Sequence, residues 1–140
     1  MIFKRVVLKS LALMVIAAAL VSCGRTKGKT DGEGQASIVF DTQELWMGSF
    51  PSTAGPQSVV FTFRNEGDAD LEFLDVATGC WCVSTVYPEK PLKPGKKGKI
   101  EVTVDVSDMK PGKFHHYAYF AVNGSPAQFT LTVKGEITEK

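Results

Sequence analysis

The stretch FHHYAYFAVNGSPAQFTLTVKGEI, Phe114 to Ile137, decides the fold. Two alternating runs, Phe114 to Val122 and Ala127 to Ile137, flank Asn123-Gly124-Ser125-Pro126. An Asn-Gly between alternating runs is a strong short-range hairpin signal. Successive strand residues point to opposite faces, so the first run splits into two registers. Phe114, His116, Ala118, Phe120 and Val122 form the more apolar one, and His115, Tyr117, Tyr119 and Ala121 form the other. The second register lies beside Gln128, Thr130 and Thr132 and presents a His115-Tyr117-Tyr119 stripe outward. Tyrosine combines an apolar ring with a polar tip and is favoured at interfaces. The plainer role for the same tyrosines is to cover the sheet.

The same period of two extends outward from the hairpin. Gln57 to Asn65 sets Val59, Phe61 and Phe63 against Val60, Thr62 and Arg64, and stops at the turn-rich Glu66-Gly67-Asp68-Ala69-Asp70. Leu71 to Ala77 resumes it, and Gly98 to Val106 alternates Ile100, Val102 and Val104 with Glu101, Thr103 and Asp105. An earlier strand pair is expected over Ser37 to Phe40 and Glu44 to Phe50. No segment shows sustained helical spacing. The expectation is an all-β domain over residues 36–138, an immunoglobulin-like antiparallel β-sandwich of about seven strands.

The residues ahead of that domain carry a different signal. Lys4, Arg5 and Lys9 precede an apolar run from Leu11 to Val21, with no acid among them. The run is shorter than the roughly 20 residues that span a bilayer, and basic-then-apolar is the order of a signal peptide. It ends in Leu20-Val21-Ser22-Cys23, which resembles the lipobox of bacterial lipoproteins. Residues 1–22 are therefore expected to be a lipoprotein signal peptide, with Cys23 the lipid-carrying first residue of the mature chain. Residues 23–35 are rich in glycine and charge and read as a flexible linker. Removing a leader with three basic residues from a chain of 16 basic and 15 acidic residues leaves a net charge of −2. That balance does not suggest nucleic acid, which calls for a basic patch.

Of three cysteines, Cys23 would be taken by lipid, leaving Cys80 and Cys82 around Trp81. In a compartment that favours oxidation, an even pair is what a disulfide needs. In a flat strand their Cα atoms would stand roughly 6.6 Å apart, at the edge of the reach of about 4.4 to 6.8 Å. Gly79 permits a bend that shortens the span, so a bond is feasible and expected to be strained. Strained bridges are the more reducible ones. A three-residue loop is worth about 1.6 kcal/mol against about 3 kcal/mol for fifteen residues, so stapling alone is a weak purpose.

Three alternatives stay open for this pair: buried thiols beside Trp81, a locally constraining disulfide, or a redox-active or metal-binding pair. Zinc takes four donors, and the only histidines, His115 and His116, are adjacent, so at most one could join the cysteines. Soft thiolates suit copper(I) better, with Met109 near the same loop. The nearest cations along the chain, Lys90 and Lys93, lie several residues away, and no helix start is evident to activate a thiolate. Asn123-Gly124-Ser125 matches a glycosylation acceptor but reads as the hairpin turn. There is no phosphate-binding glycine loop, nucleophile elbow or spaced carboxylate pair, and no enzyme is expected.

The segments VVFTFRNEGDADLEFLDVATGCWC, PLKPGKKGKIEVTVD and KPGKFHHYAYFAVNG together resemble the domain-of-unknown-function family fifteen-seventy-three. Its members carry a strand ending in Asn-x-Gly-Asp, a Cys-x-Cys after the next strand, and two Pro-Gly turns. The resemblance spans roughly Phe40 to Ile137, with Trp81 standing where members usually have glycine. It implies an immunoglobulin-like fold near the modules of major sperm protein and ciliary ASH domains, secretion or lipidation, and no known activity.

The functional expectation is a non-enzymatic cell-envelope lipoprotein acting as a binding or scaffolding module, and the family resemblance implies a lipid anchor in the outer membrane facing the periplasm. An envelope protein is the expected partner; no cofactor, metal or nucleic acid is. Trp81, His115, Tyr117 and Tyr119 form the candidate binding face. The alternative is a thiol redox or copper-handling protein using Cys80 and Cys82.

Overall fold

Nine strands and no helix make up residues 34–139, the residues that the computed structural model describes. The expected signal peptide, Cys23 and nearly all of the expected linker fall outside them. In chain order the strands are β1 (Ala36–Phe40), β2 (Glu44–Pro51), β3 (Pro56–Asn65), β4 (Phe73–Thr78), β5 (Val83–Val86), β6 (Lys97–Asp105), β7 (Gly112–Val122), β8 (Gly124–Ser125) and β9 (Gln128–Thr138). They form a five-stranded sheet, β5-β6-β3-β1-β8, and a four-stranded sheet, β2-β9-β7-β4.

The alternation read from the chain becomes the sandwich core. Phe61, Phe63, Ile100, Val102 and Val104 are buried from the first sheet, and Ala118, Phe120, Val122, Phe129, Leu131 and Val133 from the second. Their opposite-register neighbours Val60, Glu101 and Tyr119 stay exposed. Aromatic rings fill the end of the core near β1. Phe73 meets Phe63, Phe120, Phe129 and Tyr87 at centroid distances of 5.2 to 6.4 Å, and Phe120 stacks on Phe129 at 5.1 Å. These spacings are those at which aromatic pairs attract beyond their burial.

One buried residue is polar. Asn65, fully buried at the end of β3, accepts the N–H groups of Ser37 and Gly67 at 3.2 and 3.0 Å and donates to the carbonyls of Ala69 and Leu92 at 2.8 and 2.9 Å. Each side-chain atom is thus satisfied, as a buried amide must be. The residue ties β1, the 66–70 loop and the Pro94-Gly95 turn together.

Several expectations need correction. There are nine strands rather than about seven, because β5 and the two-residue β8 add to the sheets. Pairing is not wholly antiparallel: β8 runs parallel to β1, and β2 parallel to β9. The early strands do not pair with each other, since the chain crosses from one sheet to the other between β1 and β2. Alternation reports which face of a strand is buried, not which neighbour it pairs with, so these features left no trace in the periodicity. The β7–β9 hairpin is present, with Ala121 opposite Gln128. Its loop is not the expected tight Asn-Gly turn, which needs positive φ at both central residues; no residue there has one. Instead Gly124 and Ser125 pair with Ala36 and Ser37, at an approach where a Cβ on Gly124 would sit 2.8 Å from the Ala36 carbonyl oxygen.

Candidate functional site

Gly79 to Cys82 is the corner at which the chain leaves β4, an edge of the four-stranded sheet, and enters β5, an edge of the five-stranded one. Three backbone hydrogen bonds fix it. Gly79 N–H donates to the Tyr117 carbonyl at 3.1 Å, Val83 N–H to the Cys80 carbonyl at 3.1 Å, and Asp105 N–H to the Cys82 carbonyl at 2.8 Å. The bend brings the Cα atoms of Cys80 and Cys82 to 5.1 Å and their sulfurs to bonding distance, 2.06 Å. The separation falls well inside disulfide reach, so the shortening expected of a bend at Gly79 is what the corner shows. Cys82 is buried, whereas Trp81 between the two cysteines is 87% exposed.

The corner forms one wall of a cleft of about 490 Å³ at the end of the sandwich; the loop from β6 to β7 and the start of β7 form the rest. Met109 and Phe114 give it apolar sides, and Asp105, Asp108, Lys110 and Lys113 add charge. Asp105 accepts the N–H and hydroxyl of Ser107 at 3.0 and 2.5 Å; these bonds hold its carboxyl below the usual carboxylate range. His116 reaches the cleft from β7, with Nε2 3.8 Å from Cys82 Sγ. Burial, and secondarily the neighbouring His115, pushes the His116 pKa down, which favours neutral imidazole.

The lysines that share the cleft with the cysteine pair are Lys110 and Lys113, not Lys90 and Lys93. Chain order hid this, because the β6–β7 loop folds back against the corner. The one histidine that alternation allowed to join the cysteines is His116; its place in the inward register was the available signal. Nothing local marked Phe114 or Lys113 as neighbours of a turn some thirty residues earlier.

The candidate binding face is split. Trp81 lines the cleft, but His115, Tyr117 and Tyr119 do not. They lie on the outer face of the four-stranded sheet opposite Lys134, Thr132 and Thr130. Their rings form a row, His115 to Tyr117 at 5.6 Å and Tyr117 to Tyr119 at 6.2 Å. Tyr119 also borders a second, smaller cavity of about 260 Å³ with Asp75 and Gln128. Leu74, 63% exposed on the edge strand β4, is a further surface apolar residue that the sequence reading did not single out.

Comparison with known proteins places this architecture. The family model described as Protein of unknown function (DUF1573) matches residues 38–137, and the chain belongs to that family. No curated protein matches it in sequence. Among solved structures, a protein of unknown function from Porphyromonas gingivalis W83 is similar at 21% identity with a TM-score of 0.61, over 74% of this chain and 47% of that one. This chain thus spans about half the length of that protein. The seventh ASH / PapD-like domain of human CEP192 is similar at 9% identity with a TM-score of 0.58, over 74% of this chain and 86% of that one. The Vibrio cholerae VesB protease matches at 18% identity and a TM-score of 0.51, over 73% of this chain and 32% of its own. At such identities the shared property is the β-sandwich fold.

Proposed function

We propose that this DUF1573 chain is a non-enzymatic binding module of the bacterial cell envelope. In this reading it is held by lipid on Cys23 at the periplasmic face of the outer membrane, and it grips a protein partner with the cleft at the Cys80-Trp81-Cys82 corner. The observation that carries the reading is Trp81. A tryptophan 87% exposed, on a corner pinned by three backbone hydrogen bonds, holds a large apolar side chain in water on a fixed stretch of backbone. Tryptophan is enriched among the few residues that dominate binding energy, and rigid scaffolds commonly present such residues on their loops. Met109 and Phe114 beside it offer an apolar seat, and the charged groups around the cleft offer orientation. The lipid anchor rests on the Leu20-Val21-Ser22-Cys23 site and the linker behind it.

Photocrosslinking in intact cells tests the reading. A photoreactive residue at position 81 should give a discrete protein adduct that the same residue at exposed Lys90 does not. Equal labelling from both positions, or none from 81, would overturn it. A second reading, thiol redox chemistry at Cys80 and Cys82, draws on the imidazole 3.8 Å from Cys82 Sγ, which is placed to take a thiol proton as a general base. Disulfide-reductase turnover lost on replacing both cysteines with serine would favour it.

A further inference from the structure

We propose that Cys80, Cys82 and His116 bind one copper(I) ion when the cysteines are in the dithiol form, with the Met109 thioether as an adjacent soft donor. The ligand atoms of the three residues all lie within 4.8 Å of one another. Among the described residues, no other three histidine, cysteine or acidic side chains gather in this way. Donors bound about 2.0 to 2.3 Å from a common metal in tetrahedral or trigonal geometry stand roughly 3.3 to 4.0 Å apart. Cys82 Sγ and His116 Nε2 already hold that spacing at 3.8 Å.

The backbone that carries the donors is held by more than the sulfur–sulfur bond. The corner is fixed by backbone bonds to Tyr117, Asp105 and within itself. His116 is fixed by its pairing with Val133 across β7 and β9 and by its ring against Phe114 at 5.6 Å. Parting the sulfurs then needs only rotation of two side chains on a standing backbone, and a site that is built before its ion arrives loses less order on binding.

The donor types choose the ion. Zinc in structural sites is closed by four protein donors, and a set of two cysteines and one histidine holds zinc only with a water in the fourth place, so the Met109 thioether is the donor that tips this cluster toward copper(I). Thiolate and thioether sulfur are soft ligands that suit copper(I), and Met109 sits half-buried on the same cleft. Opening the site requires a dithiol reductant: the Cys80–Cys82 bond takes two electrons and two protons from it, and the reductant leaves as its own disulfide. The two thiols then release two protons as the ion binds two thiolates and the neutral His116 imidazole, giving a centre of net charge −1. The bonded form has no thiolates to offer, so copper binding is gated by the state of the pair.

The test uses the full chain carrying Cys23→Ser, so that no third thiol contributes. Protein reduced with a dithiol, desalted without oxygen and titrated with copper(I) against a chromogenic copper(I) chelator should withhold one ion per chain, while the bonded protein withholds none. His116→Gln should weaken retention by at least about tenfold, since even outer-shell partners of a metal site cost about that much when removed. Cys80→Ser with Cys82→Ser should abolish it, with a strand-type circular dichroism spectrum showing that each variant is folded. Loss of all copper to the chelator, undiminished retention by folded His116→Gln, or uptake of zinc(II) in place of copper(I) would overturn the proposal. The partner reading is separate: a chain that holds copper(I) but gives no crosslink at position 81 would support the metal site and sink the protein-binding cleft.

Discussion

The side-chain oxygen of Asn65 accepts the N–H of Gly67 at 3.0 Å, and Gly67 has no room for a side chain. A Cβ there would stand 2.1 Å from the Gln35 carbonyl oxygen and 2.5 Å from the Ser37 nitrogen, both backbone atoms that cannot swing aside. The two residues lock the start of β1 onto the end of β3.

From this lock follows the first prediction. Asn65→Ala leaves two backbone donors and two carbonyls without their partner, and a buried group left unpaired costs about 1 to 3 kcal/mol. Asn65→Ala should therefore lower unfolding free energy by at least about 2 kcal/mol, read from the denaturant midpoint at unchanged m. Gly67→Ala should be similarly damaging because β1 must shift. A midpoint equal to the parent's in both variants would show that the lock contributes nothing.

The second prediction concerns the cysteine corner. Its backbone bonds persist without sulfur, and a three-residue loop constrains little of the unfolded chain. Replacing both Cys80 and Cys82 with serine should cost only about 1 to 2 kcal/mol. Leu131→Ala, which empties a fully buried position, should cost about 2 to 5 kcal/mol. Chemical denaturation of the two variants checks the order, and a double serine variant less stable than Leu131→Ala would mean that the corner governs the fold. Alkylation of the unreduced, denatured domain followed by mass measurement gives the companion result, with no labelled thiol expected at either position.

Third, the anchor is testable by fractionation. Cys23→Ala should move the protein from the membrane to the soluble fraction and abolish incorporation of labelled lipid. A variant that stayed membrane-bound and labelled would remove the lipid tether from the account.

How much of this was legible in the chain can be argued from β7. Its period of two divided Phe114, His116 and Ala118 from His115, Tyr117 and Tyr119 before any coordinates, because only one face of a sandwich strand is buried. The same rule could not register β5, four residues long, or β8, two residues long, since neither holds enough alternation to count. It was equally silent on β2 lying parallel to β9. The site was half legible for a related reason. Cys80, Trp81 and Cys82 are contiguous and announce themselves, and Met109 and one histidine could be named beside them, but Phe114, Lys110 and Lys113 join them only because the β6–β7 loop folds back against the corner. Trp81's exposure arises from a corner that local spacing allowed and did not require.

The central claim is that Trp81 is the contact on which partner binding turns, and capture from solubilised envelope membranes tests it most directly. The parent chain, Trp81→Ala and Tyr119→Ala, each anchored and folded, are compared for recovery of the protein that crosslinks at position 81. The account predicts that Trp81→Ala loses this partner by about 30-fold in affinity, the effect of a hot-spot contact worth about 2 kcal/mol, while Tyr119→Ala retains it. Recovery by Trp81→Ala equal to the parent's, or loss confined to Tyr119→Ala, would contradict the account and move the contact to the outer face of the four-stranded sheet.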